Sequence, residues 1–411
     1  MPQSLQVDEY IKQICLADNL ETYDPYDVWK TPCGFFIKDL YNRHPRRGFL
    51  PAALLTLIDT FINNGHRWFY SSQEYPIVRA LAAQCLLNLY RVRPKKEYLE
   101  STVRHLDWLK AHACTGTHGL GWGLHFRYAV AKNLIYDENT PFSTMTPYVL
   151  EAFVQFTDLT GDRRYESEIL GVYRFFNEDI RVMEESEHAM ATSYTPSRDR
   201  TVINASSYAM WSYALLLAFL NEHEKADVTR KIIKLYRFIQ QQQRPDGSWL
   251  YATSSGSFID CFHSCIVLKN LWKTRDLHHL DECEEVISRG YQYVKNVFFD
   301  PMSGLYRRFA LANKPGLIRF DLYDNAEMLN LSILLHDFKE ADRLLPIIRS
   351  RFHDGDAIYS QILLGGLRTN KNMLRWAVMP YLYALTLRLR SSNMPQAAKE
   401  QTFPCVEYLG Q

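Results

Sequence analysis

Residues 204–220 read NASSYAMWSYALLLAFL, seventeen positions without a charged side chain. Apolar residues fall all round any helix drawn through them, so such a helix has little to offer water and is predicted to be buried on several sides. Five other segments share this character: 77–92 (IVRALAAQCLLNLYRV), 144–160 (TMTPYVLEAFVQFTDLT), 259–274 (IDCFHSCIVLKNLWKT), 321–335 (DLYDNAEMLNLSILL) and 372–390 (NMLRWAVMPYLYALTLRLR). Between them lie 97–111, 163–178, 225–243, 280–297 and 339–352, where apolar residues recur at helical spacing and charges take the other side, as from Arg164 to Phe176. Buried and half-buried helices alternating with a period of 50–65 residues predict an all-α, closed (α/α)6 toroid, a six-hairpin barrel. Residues 50–64 (LPAALLTLIDTFINN) are expected to supply the first outer helix. The domain reading is an N-terminal extension over 1–45 packing on the ring, the toroid over 46–395 and a C-terminal tail over 396–411.

After each outer segment the chain enters an aromatic, glycine-marked loop: HGLGWGLHFRY (118–128), ATSYTP (191–196), RPDGSWLYA (244–252), PMSGLYRRFA (301–310) and HDGDAIYSQ (353–361). Pro, Gly and Asp set the turns, and the flanking aromatics suit short hairpins. Each loop joins the same kind of helix end to the same kind of start, so all are expected on one rim, where the N-termini of the inner helices converge. That rim is the predicted active face.

Composition narrows the partners. The 411 residues are 47% hydrophobic, enough for a large core, and 47 Lys plus Arg stand against 46 Asp plus Glu. No overall field then draws the protein to nucleic acid, and any charged ligand must be recognised locally. The eight cysteines show no CxxC spacing, and most read as reduced core residues. The opening MPQSLQVDEYIKQICLADNL has no basic stretch leading into an apolar one, and no segment approaches ~18 uncharged apolar residues, so a cytoplasmic protein without membrane insertion is expected. Aromatic side chains make up 14% of the chain, many of them in turns, and aromatic-lined clefts are how proteins grip sugar rings.

Six helix N-termini around one cavity present unpaired backbone N–H groups and the positive ends of helix dipoles, which favours an anionic ligand such as a uronic acid. The polar residues at these starts are Thr144 and Thr146, Asn204, Ser206 and Ser207, Asp260 and His263, Asp321, Asp324 and Asn325, and Asn372 and Arg375. Helix capping by itself accounts for Asn204 and Asp321. Asp260 and His263, three residues apart on one helix face, form the sharpest cluster: the carboxylate orients the imidazole and raises its basicity, giving a general base or acid. A cap aspartate beside a hydrogen-bonded core histidine is the competing reading. Asp324 is the candidate second carboxylate, since paired carboxylates across a cavity are glycosidase equipment. Acidic residues in a first helical turn are also favoured electrostatically without catalysis. Tyr208 is the candidate proton-transfer partner. Arg127 and Arg375 are candidate carboxylate anchors, with Arg319 a further one. Trp122, Trp249 and Trp376 are candidate stacking walls, joined by His125, Tyr194, Asn204 and Tyr323 as binding residues; packing of the loops explains the tryptophans too.

FIQQQQRPDGSWLY (238–251) resembles the Q-x-x-D-G-x-W repeat of squalene cyclases and protein prenyltransferase β subunits, which are α/α toroids. A likeness spanning most of the chain runs through YDPYDVWKTP (23–32), GWGLHF (121–126), LTGDRRY (159–165), INASSYAM (203–210), QRPDGSW (243–249), IDCFHSCIVL (259–268) and MLRWAVMPYLYAL (373–385). Together these resemble a toroid family found among bacterial exopolysaccharide and capsule biosynthesis proteins, whose usual patterns are GWGYPFDW, DGSW, IDxFHTGF and MRWxQAW. The chain departs from them at Arg127, where aspartate is usual, and over Phe262–Ile266, where FHTGF has become FHSCI. The resemblance implies surface-glycan biosynthesis as a setting, with contact to other polysaccharide biosynthesis proteins. Toroid polysaccharide lyases and uronosyl epimerases, which it brings to mind as a class, use Tyr and His beside an Arg or Asn that neutralises a carboxylate. Prenyltransferase β subunits place a zinc-binding Asp-x-Cys after the same kind of loop, but here Asp260 and Cys261 are adjacent and point about 100° apart on a helix. The expectation is therefore no metal and no cofactor.

The functional expectation is a glycan-processing enzyme acting on an anionic saccharide, by proton transfer or glycosidic cleavage. A non-catalytic glycan-binding or assembly protein and an isoprenoid enzyme are the alternatives, separable by whether the cavity holds convergent ionisable groups, an aromatic groove alone, or an uncharged pocket.

Overall fold

The computed structural model describes residues 10–393, apart from 199, 255, 279, 314 and 315. The chain opens with α1 (residues 10–15), α2 (Asp27–Lys30), α3 (Pro32–Arg43) and α4 (Pro45–Ile58). Helical pairs follow: α5 (Pro76–Val92) with α6 (Lys96–Ala111), α7 (Thr146–Thr160) with α8 (Glu166–Arg174), α9 (Ile203–Leu216) with α10 (Glu222–Gln242), α11 (Cys261–His278) with α12 (Cys283–Tyr293), and α13 (Leu322–Leu334) with α14 (Phe338–Phe352). The last described helix is α15 (Met379–Ser392). Helices α5, α7, α9, α11, α13 and α15 pack side by side in that order, and α15 returns to α5. The inner ring is closed, and the fold is the all-α toroid expected.

Burial follows the charge pattern that set the expectation. Every residue of α9 is buried, whereas α10 buries Val228, Ile232, Leu235, Tyr236, Phe238 and Ile239 on one side and leaves its charges outside. Its start is set by a capping box, Asn221 accepting from the Glu224 amide while the Glu224 side chain returns to the Asn221 amide. Three inner helices, α5, α7 and α15, open with proline in the first turn, where an N–H is not needed.

The sixth outer position is filled differently from the expectation. Residues 50–64 do not supply it: α4 packs on α3 and turns Leu50, Leu54 and Ile58 to solvent, as does Phe61 in the helical turn Asp59–Asn63 that follows. Its place is taken by α1, whose Ile11 and Cys15 are fully buried. The Cys15 carbonyl accepts from His105 Nε2 of α6 at 2.8 Å, and the Tyr10 hydroxyl donates to the Gly355 carbonyl beyond α14 at 3.0 Å. Arg79 donates to His105 Nδ1, which leaves the proton on Nε2, and burial lowers this imidazole to about 4, so the contact is neutral.

Short strands decorate one rim: the hairpins β1 (Tyr128–Ala131) with β2 (Leu134–Tyr136) and β3 (Val182–Glu185) with β4 (Met190–Thr192), then β5 (Ile259–Asp260) with β6 (Phe309–Leu311). A small antiparallel sheet adds β7 (Ile318–Asp321), β8 (His353–Asp354), β9 (Ala357–Leu363) and β10 (Arg368–Lys371), with β9 pairing the other three. The loops do share the rim of the inner-helix N-termini, tied there by one repeated bond. A first-turn side chain of the next inner helix accepts a loop amide: Thr146 from Trp122 (3.0 Å), Ser206 from Thr192 (3.1 Å) and Asn325 from Tyr306 (2.9 Å). Helices α3 and α4 lie over this rim as a roof.

Candidate active site

A cavity of about 440 Å³ opens at that rim, within the range of small-ligand sites. Below it the lumen is closed by buried ion pairs between inner helices: Lys273 of α11 bonds both carboxylate oxygens of Glu151 on α7 (2.8 and 2.9 Å), and Lys269 pairs with Glu327 of α13.

His263 and Asp260 sit together in its wall. Strand β5 pins Asp260 by pairing with β6, and the Cys261 amide donates to the Arg308 carbonyl at 2.9 Å, so α11 starts in a fixed place. Both oxygens of the buried Asp260 carboxylate lie 2.8–2.9 Å from His263 Nδ1. Nδ1 is thereby the protonated nitrogen, and Nε2 is left to the cavity as an acceptor. The imidazole is held between Phe262 (ring centroids 3.8 Å apart) and Tyr251 (4.5 Å). The structure thus brings the carboxylate and the imidazole together, in contact at the start of α11.

Tyrosines line the same cavity. The hydroxyls of Tyr148 and Tyr208 are 2.7 Å apart, and burial pushes both well above the ordinary phenol range. At neutral pH they are O–H donors. Tyr323, whose hydroxyl burial raises as well, and Tyr194 also line the cavity. Asn204, expected as a cap, instead follows the Val202 cap position by two residues; it faces the cavity with its buried Oδ1 unpartnered among the described residues.

Among the described residues, the cavity lining includes the cations Lys38, Arg200, Arg308 and Arg375 and the carboxylate Asp260. Arg375 is already gripped by Asp24 through Nε (2.5 Å) and Nη2 (2.7 Å), so it is a fixed part of the wall more than a movable anchor. Arg308 donates to Asp321 at 3.1 Å, and Asp321 also accepts from Trp376 Nε1 (3.1 Å), Gln361 (3.2 Å) and the Tyr323 amide (2.9 Å). Asp321 is thus both the cap of α13 and the anchor of Arg308. Trp376 lies in the wall as expected, 5.0 Å from Tyr323.

Several expected site residues lie elsewhere. Asp324 is not in the cavity wall: it is 1% exposed and its Oδ1 accepts from the Phe262 amide at 3.0 Å. Burial, with Asp321 and Asp260 nearby, holds its carboxyl well above the usual carboxylate range, and it supports the start of α11 from behind. Trp122 and Trp249 are core residues that donate Nε1 to carbonyls of the preceding outer helices, Leu109 (2.8 Å) and Ile239 (2.9 Å). Neither is among the residues lining this cavity, since ring packing takes nearly all of their surface. His125, in a left-handed conformation at φ 55°, lies outside the cavity lining, and burial lowers its imidazole. Arg127 is exposed, 3.6 Å from Asp137 and over the Phe35 ring.

The sequence reading missed Arg200, Arg308, Lys38, Tyr26 and Tyr251, which come from loops, strands and the roof and carry no periodicity. Arg308 is one of two consecutive arginines, and only the β5–β6 pairing selects it. Asp24, within YDPYDVWKTP, was visible in the motif but not as the partner of Arg375.

No protein-family model matches the sequence, and no curated protein matches it either. Solved structures do. The chain is similar to cellobiose 2-epimerase from Bacillus thermoamylovorans (TM-score 0.60, 10% identity, 78% of this chain and 88% of that one). It is similar to a D-mannose isomerase (0.59, 10%, 82% and 90%) and to a GH76 α-mannanase from Bacteroides thetaiotaomicron (0.58, 10%, 90% and 98%). At this identity the likeness carries the architecture alone: the chain is an (α/α)6 toroid built as those carbohydrate enzymes are.

Proposed function

We infer that the protein is a glycan-processing enzyme whose ring cavity takes an anionic, uronic-acid-like saccharide and moves a proton at the carbon next to the carboxylate. The observation that carries this reading is the Asp260–His263 pair, with His263 in the wall of a cavity whose described lining also holds Lys38, Arg200, Arg308 and Arg375, the last two fixed by Asp321 and Asp24. His263 Nε2 takes the proton, and the C–H electron pair passes into the carboxylate as an enediolate held by guanidinium groups. A protonated tyrosine, Tyr208 or its neighbour Tyr148, then returns a proton to the opposite face, which epimerises the carbon, or protonates a departing glycosidic oxygen, which is elimination. The toroid epimerases and isomerase that share the fold favour this class, and the motif resemblance favours surface-polysaccharide assembly as its setting. Hydrolysis by two carboxylates is less supported, because Asp324 stands outside the cavity wall. The lining cations also speak against an isoprenoid site.

The test is incubation with oligouronates in deuterated water. Deuterium at the carbon bearing the carboxylate, or a new conjugated double bond read by ultraviolet absorbance, is the expected result. New reducing ends without either would make the enzyme a hydrolase. Saturable binding with no chemistry would make it a glycan-binding protein.

A further inference from the structure

Beside the ring cavity lies a second one of about 600 Å³, between the roof and the sheet, and the two share Tyr26, Lys38, Arg308 and Trp376 in their walls. Its character differs. The roof contributes Trp29, Phe49, Ala53 and Leu57, and the sheet contributes Ile318 and Leu363. The amides at its far end serve one another: Asn64 donates to Asn370 (2.7 Å), Asn370 to Gln361 (2.8 Å), and Gln361 to Asp321 (3.2 Å). A sugar subsite offers polar groups for hydroxyls, whereas this space has turned its amides on one another and its Asp59 to the Tyr70 hydroxyl, and presents mostly hydrocarbon.

The roof helix itself is unusual for a surface element. Phe49, Ala53 and Thr56 line the second cavity, while Leu50, Leu54 and Ile58 lie in solvent, preceded by exposed Arg46 and Arg47. Hydrocarbon therefore lies on both sides of α4, continuous with the cavity beneath it.

We propose that the substrate is an amphiphile, an anionic saccharide seated in the ring cavity whose aliphatic aglycone lies in the second cavity under α4. The shared wall of Arg308 and Trp376 marks the junction: the guanidinium, fixed by Asp321, faces the charged end, and the indole passes from one cavity to the other. This proposal rests on the saccharide reading of the ring cavity and adds what is attached to the sugar.

The experiment compares methyl, hexyl and octyl β-glucuronides, all below their micelle concentrations, by calorimetric titration of the wild-type protein. Full burial of one methylene is worth about 0.8 kcal/mol, or roughly fourfold in affinity, so even partial burial makes octyl bind at least about tenfold tighter than methyl. Ala53→Trp, which fills the second cavity, is expected to abolish that chain-length dependence, with its melting temperature measured in parallel. Equal affinity across the series overturns the proposal while leaving the sugar reading intact. Chain-length dependence that persists unchanged in folded Ala53→Trp also overturns it. Tight octyl binding without any deuterium exchange leaves the proposal standing and removes the catalytic reading, so the two fail separately.

Discussion

Two inner helices begin with the same spacing of side chains and end up with opposite chemistry. Asp260-Cys-Phe-His263 opens α11 and Asp321-Leu-Tyr-Asp324 opens α13, each with ionisable groups three residues apart at the same rim. In the first, the aspartate is buried and its partner reaches the cavity, where it is available to a ligand. In the second, the aspartate gathers Arg308, Trp376 and Gln361, while Asp324 turns away to hold the Phe262 amide of the first helix. One start presents its pair to the cavity and the other supports it from behind. An i, i+3 pattern says that two side chains share a face, but not what that face meets.

The sharpest break between the two is made by His263→Ala. It is expected to lower turnover by ~10²- to 10⁴-fold with little change in melting temperature, as for a positioned acid or base at a cavity wall. Measured deuterium exchange that survives the substitution would remove His263 from the mechanism. Asp321→Ala, at the matching position of α13, should act on stability instead. It strands Arg308 in a buried site and removes the α13 cap, a loss of about 3–5 kcal/mol readable in denaturant unfolding.

Asp260→Asn keeps an acceptor for Nδ1–H but removes the charge. The difference between a charge-assisted and a neutral hydrogen bond, about 1–1.5 kcal/mol, predicts a rate loss on the order of tenfold, milder than that of His263→Ala. A loss as large as that of His263→Ala would mean that the carboxylate does more than orient the ring.

Asp324→Asn sharpens the comparison from the other side. The substitution keeps the acceptor for the Phe262 amide, so turnover should change least of the four. Its signature lies in pH dependence. The folded carboxyl of Asp324 is raised above its unfolded value, so the native state holds the proton longer. Its contribution is complete below the unfolded pKa and is lost as pH rises through the folded one. Wild-type protein should therefore lose stability relative to Asp324→Asn as pH rises from about 4 towards neutrality. Parallel melting curves at every pH would show that burial does not raise the Asp324 carboxyl in the fold.

The ring was legible because burial on several sides leaves a composition that no other environment tolerates: Asn204–Leu220 carries no charge, and a helix like that needs neighbours all round. The shared rim of the loops followed from chain direction alone. The Asp260–His263 pair was legible too, since it depends on one turn of one helix. What the sequence could not decide is everything set by contacts distant along the chain. Trp122 and Trp249 have the composition of sugar platforms, yet the geometry of the ring sends their indoles to Leu109 and Ile239. Residues 50–64 have the periodicity of an outer helix, yet α1 holds that place and α4 becomes a roof, because an apolar stripe fits a ring and a cavity equally well. Arg375 meets Asp24 across 351 positions, and Arg308 is chosen over Arg307 by strand pairing. Periodicity reports how much of a segment is hidden; only tertiary packing decides which side chain is left facing the space that remains.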